Sequence, residues 1–124
     1  MKTSSAKAKG RRLQNYVAEK LRKLIFYTSL GYDISLDPDD IKPAIMGESG
    51  IDIKLSPKAK TLIPFDIECK AQEKLSIWDA LTQAEENSMD IERIPMLVFT
   101  RNNSKKYAVV EFDKLLEIIN KVKG

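Results

Sequence analysis

Apolar residues recur at spacings of four and three from Leu13 through Val17, Leu21 and Leu24 to Thr28. That stripe predicts an amphipathic helix from about Lys9 to Leu30, ended by Gly31. Further along, the period changes to two. Ile51, Ile53 and Leu55 alternate with Asp52 and Lys54, and Phe65, Ile67 and Cys69 alternate with Asp66, Glu68 and Lys70. Strands are therefore predicted at about 51–56 and 62–70. The stretch between, from Leu36-Asp37-Pro38-Asp39-Asp40 to Gly47-Glu48-Ser49-Gly50, is polar and turn-rich, with room for a short helical turn after Pro38. A second helix is predicted over about Ser76–Met89, with Ile77, Leu81 and Ala84 on its apolar face. A third strand follows at Ile94–Thr100, then a turn at Asn102-Asn103-Ser104 and a fourth strand at Tyr107–Val110. The last helix covers about Phe112–Lys121, with Leu115, Leu116, Ile118 and Ile119 as its apolar side. The order helix, strand, strand, helix, strand, strand, helix predicts an α/β fold, a mixed β-sheet flanked by helices, in one domain spanning residues 1–124.

Alternation also sorts the polar residues. Side chains along a strand point to opposite faces in turn, so Asp52 shares a face with Lys54, and Glu68 with Lys70. An antiparallel hairpin of the first two strands, turning at Ser56-Pro57-Lys58-Ala59-Lys60-Thr61, is expected to bring Asp52 opposite Glu68. Two carboxylates and an amine then gather at one point on a sheet. A hard divalent cation and a phosphodiester need such a group.

Composition narrows the chemistry. The 124 residues carry a formal net charge of +3, unevenly placed: Lys2, Lys7, Lys9, Arg11 and Arg12 fall within the first 12 residues with no acid among them. Residues 1–8 are expected to form a flexible basic arm, suited to nucleic acid or simply to solvent. There is no histidine, which excludes Ser-His-Asp and Cys-His catalysis and histidine-ligated zinc. The single cysteine, Cys69, allows neither an intrachain disulfide nor a cysteine metal cluster. It points to a reducing, cytoplasmic setting, as does the absence of a secretory signal and of any apolar run of membrane-spanning length. No phosphate-cradling Gly-Lys-Ser/Thr loop or GxGxxG occurs. Catalysis would rest on carboxylates, lysines, amides and hydroxyls.

Acid-x-Lys occurs in Asp40-Ile41-Lys42 and Asp52-Ile53-Lys54 as well as in Glu68-Cys69-Lys70. What sets the last apart is its place, on an apolar strand and 16 positions after the aspartate of Gly50-Ile51-Asp52. A helix, a Gly-x-Asp strand, a strand bearing Glu-x-Lys and a second helix, in that order, resemble the PD-(D/E)xK nuclease superfamily, and within it the small Holliday junction resolvases of archaea and phages. The resemblance covers roughly residues 7–111. It implies a restriction-endonuclease-like fold and a magnesium-dependent endodeoxyribonuclease, with manganese able to take the place of magnesium. Asp52 and Glu68 would hold the metal. Lys70 would help place the attacking water and stabilise charge developing on the phosphate.

The chain departs from the family in the first helix, where many members carry a glutamate four residues after a glycine. Gly10-Arg11-Arg12-Leu13-Gln14 puts the neutral Gln14 there, on the edge of the buried stripe, whereas Glu19 faces solvent. Glu48 is a candidate further ligand and Ser49 a candidate DNA contact, in the loop entering the first strand. Gln83 corresponds to a glutamine that often follows the Glu-x-Lys strand in similar nucleases. Arg11, Arg12, Lys54, Lys58 and Lys60, with Lys105 and Lys106 at the second hairpin, are candidate grips on DNA phosphates, which position DNA without reading its sequence. Trp78 and Cys69 are expected in the core. The expected substrate is a four-way DNA junction, whose symmetry suits a two-fold homodimer. A restriction-like, nicking or repair nuclease, or a non-catalytic DNA-binding domain of the same fold, are the alternatives.

Overall fold

The computed structural model describes residues 2–28, 36–45 and 47–123. Among these residues the fold is mixed α/β, with four α-helices, a two-stranded sheet and a three-stranded sheet. Helix α1 runs Lys2–Thr28 and is followed by a 3-10 turn at Pro38–Asp40 and strand β1, Ile41–Pro43. Strand β2 is Ile53–Leu55, α2 is Pro57–Lys60 and β3 is Phe65–Ala71. Helix α3 spans Ile77–Asn87, β4 Ile94–Thr100, β5 Tyr107–Val109 and α4 Phe112–Lys123.

Two features depart from the sequence expectation. The basic segment expected as an arm over residues 1–8 belongs, from Lys2 onward, to α1. The expected end of that helix, between Thr28 and Gly31, falls outside the described residues. The predicted hairpin of β2 with β3 does not form. Instead β2 pairs antiparallel with β1, Ile41 opposite Leu55 and Pro43 opposite Ile53. The intended turn is the short helix α2, because Ser56 accepts the Ala59 N–H at 3.1 Å and Pro57 takes a first-turn position, where it has no N–H to leave unsatisfied. Between β2 and β3 one backbone bond remains, Asp52 N–H to the Ile67 carbonyl at 3.1 Å.

Strand β3 instead pairs in parallel with β4, Glu68 opposite Leu97, and β4 pairs antiparallel with the edge strand β5. A parallel pair needs a crossover, which α3 supplies. Helix α1 closes one face. Leu13, Val17, Ala18 and Ile25 form the core with Ile41, Ile53, Ile67, Cys69 and Val98. The buried stripe of α1 turns to Ile25, leaving Leu24 56% exposed. On the opposite face of β3, Asp66, Glu68 and Lys70 look toward α3, where Ala80 and Ala84 are buried. Trp78, expected in the core, is 81% exposed, since the small residues of α3 and not its large ones meet the sheet. Cys69 is buried as expected.

Candidate active site

Asp52 lies just before β2, after a loop in which Gly47 and Gly50 both adopt positive φ (85° and 94°), angles that glycine tolerates without strain. Its backbone is fixed on both sides. The Ala44 N–H donates to the Asp52 carbonyl at 2.7 Å, and its own N–H reaches Ile67. The side chain then meets β3 directly, with Oδ2 accepting the Cys69 N–H at 2.7 Å. A strand-edge amide, left unpaired because β2 and β3 make no ladder there, thus orients the carboxylate.

Glu68, in the middle of β3, is only 4% exposed. Its Oε1 accepts from Asn87 Nδ2 at 3.1 Å and its Oε2 lies 3.9 Å from Lys70 Nζ. Burial pushes the Glu68 carboxyl above its ordinary range, and the nearby Asp52 charge adds to it; Asn87 and Lys70 work in the other direction. Burial likewise raises Asp52, opposed by the Cys69 N–H and by the Lys70 and Lys54 charges. Asp52, Glu68 and Lys70 are therefore brought together as expected, although by a different route from a hairpin. Burial, with the same two carboxylates, also pushes the Cys69 thiol well up, leaving it a packing residue.

The donor set suits a hard divalent cation. Each carboxylate uses one oxygen in a hydrogen bond, Asp52 Oδ2 and Glu68 Oε1, and among the described residues the other oxygen of each accepts none. Among the described residues Lys70 pairs with Glu68 and Lys54 with Glu48, so the half-buried Asp52 and the buried Glu68 together leave excess negative charge, which a cation would neutralise. Among the described residues no group of three acids, histidines or cysteines capable of holding a metal occurs. Magnesium commonly uses one or two carboxylates, with waters and substrate phosphate completing its shell.

The other candidates separate. Gln14, half-buried on α1, lines an open cleft of about 300 Å³ with Lys7, Gly10, Arg11, Glu48 and Asp52. Among the described residues no hydrogen bond joins it to Glu68. Glu48 lines the same cleft, but its Oε1 caps the Ile45 N–H at 2.9 Å and its Oε2 pairs with Lys54 Nζ at 3.4 Å. That first bond, followed by the Lys54 charge, holds its carboxyl low. Glu48 thus also has a local task, closing the 45–48 turn, while it lines the cleft beside Asp52. Lys54 also reaches the Ser49 carbonyl at 3.5 Å, so Ser49 takes part through its backbone. Lys58 and Lys60 ride on α2, away from that cleft, and Arg12 lies on the other flank of α1. Gln83 is exposed on α3.

Sequence reasoning missed the residue of α3 that does reach the site. Asn87 lies seven positions after Ala80 and three after Ala84, on the buried stripe of the helix, a position its sequence spacing could have flagged. It also missed the clamp beneath the site. Asp66, 6% exposed, accepts from Arg93 Nε at 3.0 Å and Ser88 Oγ at 2.8 Å, while the Arg93 fork donates to the carbonyls of Lys60 and Phe65 at 3.2 and 2.8 Å. This ties the end of α2, the start of β3 and the α3–β4 connection together, one strand position pair from Glu68. Asp40, the acid of the rival Asp-x-Lys, closes the 3-10 turn by accepting the Asp37 N–H at 2.6 Å.

No family model matches the chain, and no curated protein and no solved structure matches it either. Among the described residues no helix is long and apolar enough to cross a membrane.

Proposed function

We propose that this chain is a metal-dependent DNA endonuclease of restriction-endonuclease-like fold, selective for branched DNA and above all for four-way junctions. The observation that carries the reading is the convergence of the half-buried Asp52 and the buried Glu68, both with raised pKa, beside Lys70 on the rigid strand β3. Structural ion pairs are seldom built with two acids and one base at low exposure, since the surplus charge is costly to bury. A bound magnesium ion, or manganese in its place, would supply a Lewis acid for the phosphate and lower the pKa of water.

The chain's own residues divide the remaining work. Asp52 and Glu68 hold the cation, oriented by the Cys69 amide and by Asn87. Lys70 places its ammonium where negative charge grows on the phosphate as a water oxygen bonds to phosphorus and one P–O ester bond breaks. Gln14, beside Asp52 in the cleft, orients water or a phosphate oxygen through its amide. Arg11 and Lys7, lining the same cleft, attract the backbone.

A two-fold homodimer suits a substrate with two symmetric strands to cut. Helix α4 supports it. Phe112, Leu115, Ile119 and Val122 recur at spacings of three, four and three, the seam of a helix pair, and are 68%, 38%, 47% and 83% exposed. Glu111 and Asp113 lie at its start and Lys121 and Lys123 at its end. An antiparallel pairing with a second copy buries the seam and sets acidic start against basic end, with opposed helix dipoles.

The test uses labelled four-way junction, flap, nicked and linear duplexes, each with magnesium or chelator, beside Lys70→Ala. Paired symmetric magnesium-dependent nicks in the junction alone support the reading. Cutting spread over linear or nicked duplex moves it to a restriction-like, nicking or repair nuclease. Binding without any metal-dependent cutting leaves a DNA-binding domain and overturns the enzyme.

A further inference from the structure

The N-terminal half of α1 has two cationic flanks. One lines the Asp52 cleft through Lys7, Arg11 and Gln14. The other forms, with the loop between β4 and β5, a groove of about 640 Å³ whose walls carry Lys9, Arg12, Arg101, Lys105 and Lys106. Ala71 and Thr100 set its floor at the carboxyl ends of the parallel strands β3 and β4. In open α/β sheets that end is where ligands usually sit.

Among the described residues none of these five cations is paired with a carboxylate. The one acid in the groove, Glu73, accepts the Asn102 N–H at 2.6 Å and so serves the loop. The loop is held in shape. Thr100 Oγ1 lies within 3.3 Å of the carbonyls of Arg101, Ser104 and Lys105, Ser104 Oγ donates to the Lys105 carbonyl at 2.9 Å, and Asn103 takes a left-handed φ of 58°. Lys106 Nζ rests 4.5 Å above the Tyr16 ring, on the α1 side. Five positive charges are thus presented from two rigid walls with one committed acid between them. A concave site of one sign focuses the field on a polyanion.

We propose that this groove is a second phosphodiester site, holding the sugar–phosphate backbone of a DNA arm away from the scissile bond. The identity of the polymer as DNA rests on the nuclease reading. The groove and the Asp52 cleft lie on opposite flanks of α1, one helix diameter apart, about 10–12 Å. At about 3.4 Å per step along each strand, that spans roughly three base-pair steps. Contact across α1 therefore ties the position of an arm to the position of the cut.

Binding of a fluorescent four-way junction, in chelator so that cutting plays no part, is measured from 50 to 200 mM KCl for the parent and for R101A/K105A/K106A, all three exposed residues. Each lost phosphate contact lowers the salt slope by about 0.9, so the variant's slope falls by up to about 2.7 and its loss of affinity over this range shrinks by about 40-fold. K23A/K42A/K114A, an equal charge change elsewhere, keeps the parent slope. A parent-like slope in the groove variant, an equal fall in the control variant, or no junction binding by the parent overturns the proposal. Steep binding that the groove variant alone weakens upholds it even if magnesium yields no cutting, an outcome that instead overturns the nuclease reading.

Discussion

Replacing Arg93 with alanine is expected to destabilise the fold by about 3–5 kcal/mol, the range for breaking a buried ion pair from one side. The magnitude follows from what is left behind. The Arg93 and Asp66 side chains are 9% and 7% exposed, and the guanidinium satisfies Asp66 and the carbonyls of Lys60 and Phe65 at once. Among the described residues alanine leaves Asp66 with only the Ser88 hydroxyl, and the two carbonyls lose a donor. For a domain of this size, 1 kcal/mol moves the melting temperature by about 3–5 °C, so a fall of about 9–25 °C is expected. Urea and thermal unfolding followed by circular dichroism measure it. Arg93→Lys keeps the charge but not the planar fork, and should fall between parent and alanine variant. An alanine variant melting within about 3 °C of the parent, well below what that cost converts to, would refute the clamp as a determinant of stability.

Asp52→Asn removes a carboxylate that burial raises and whose charge raises Glu68; its metal-free form should melt no lower than the parent, while the rise in melting temperature on adding magnesium disappears. An undiminished magnesium shift in that variant would remove Asp52 from the ligand set. Asn87→Ala leaves Glu68 Oε1 without its donor and should cost about 1–3 kcal/mol as well as weaken magnesium binding; calorimetric titration that finds parent-like affinity would refute its orienting role. Cys69, buried and with its thiol pushed up, should resist a thiol reagent in native buffer and react fully in denaturant; rapid native labelling would mean that β3 opens. Ile119→Glu on the exposed seam of α4 should convert a dimer to a monomer in sedimentation with little change in melting temperature, whereas a parent that sediments as a monomer would refute α4 as an interface.

Much of the architecture was legible in the period of apolar residues. Strands β3 and β4, helix α3 and helix α4 each carry a run long enough for the pattern to show. Strand β1 was not, because three residues ending in Pro43 have no period, and their strand character comes only from pairing with β2. The turn expected at 56–61 failed because Ser56-Pro57 begins a helix as readily as a hairpin. In the site, Asp52, Glu68 and Lys70 could be found from strand alternation and order. Ser88 and Arg93 could not, since each meets β3 from a distant element, and for Asn87 the spacing could flag the buried helix face but not its partner Glu68.

The sequence by itself determined which residues alternate on β3, that no histidine chemistry, disulfide or cysteine metal cluster is available within the chain, and that carboxylates are the natural holders of a cation. These follow from residue identity and from the two-residue repeat of an extended chain. Tertiary structure decided what faces those residues. It set β3 beside β4 instead of β2, freed the Cys69 amide for Asp52, turned the small side of α3 to the sheet so that Asn87 reaches Glu68, and placed the 101–106 loop across α1 from the Asp52 cleft. Pairing and helix phase are settled by packing over the whole chain, where long-range burial outweighs local preference.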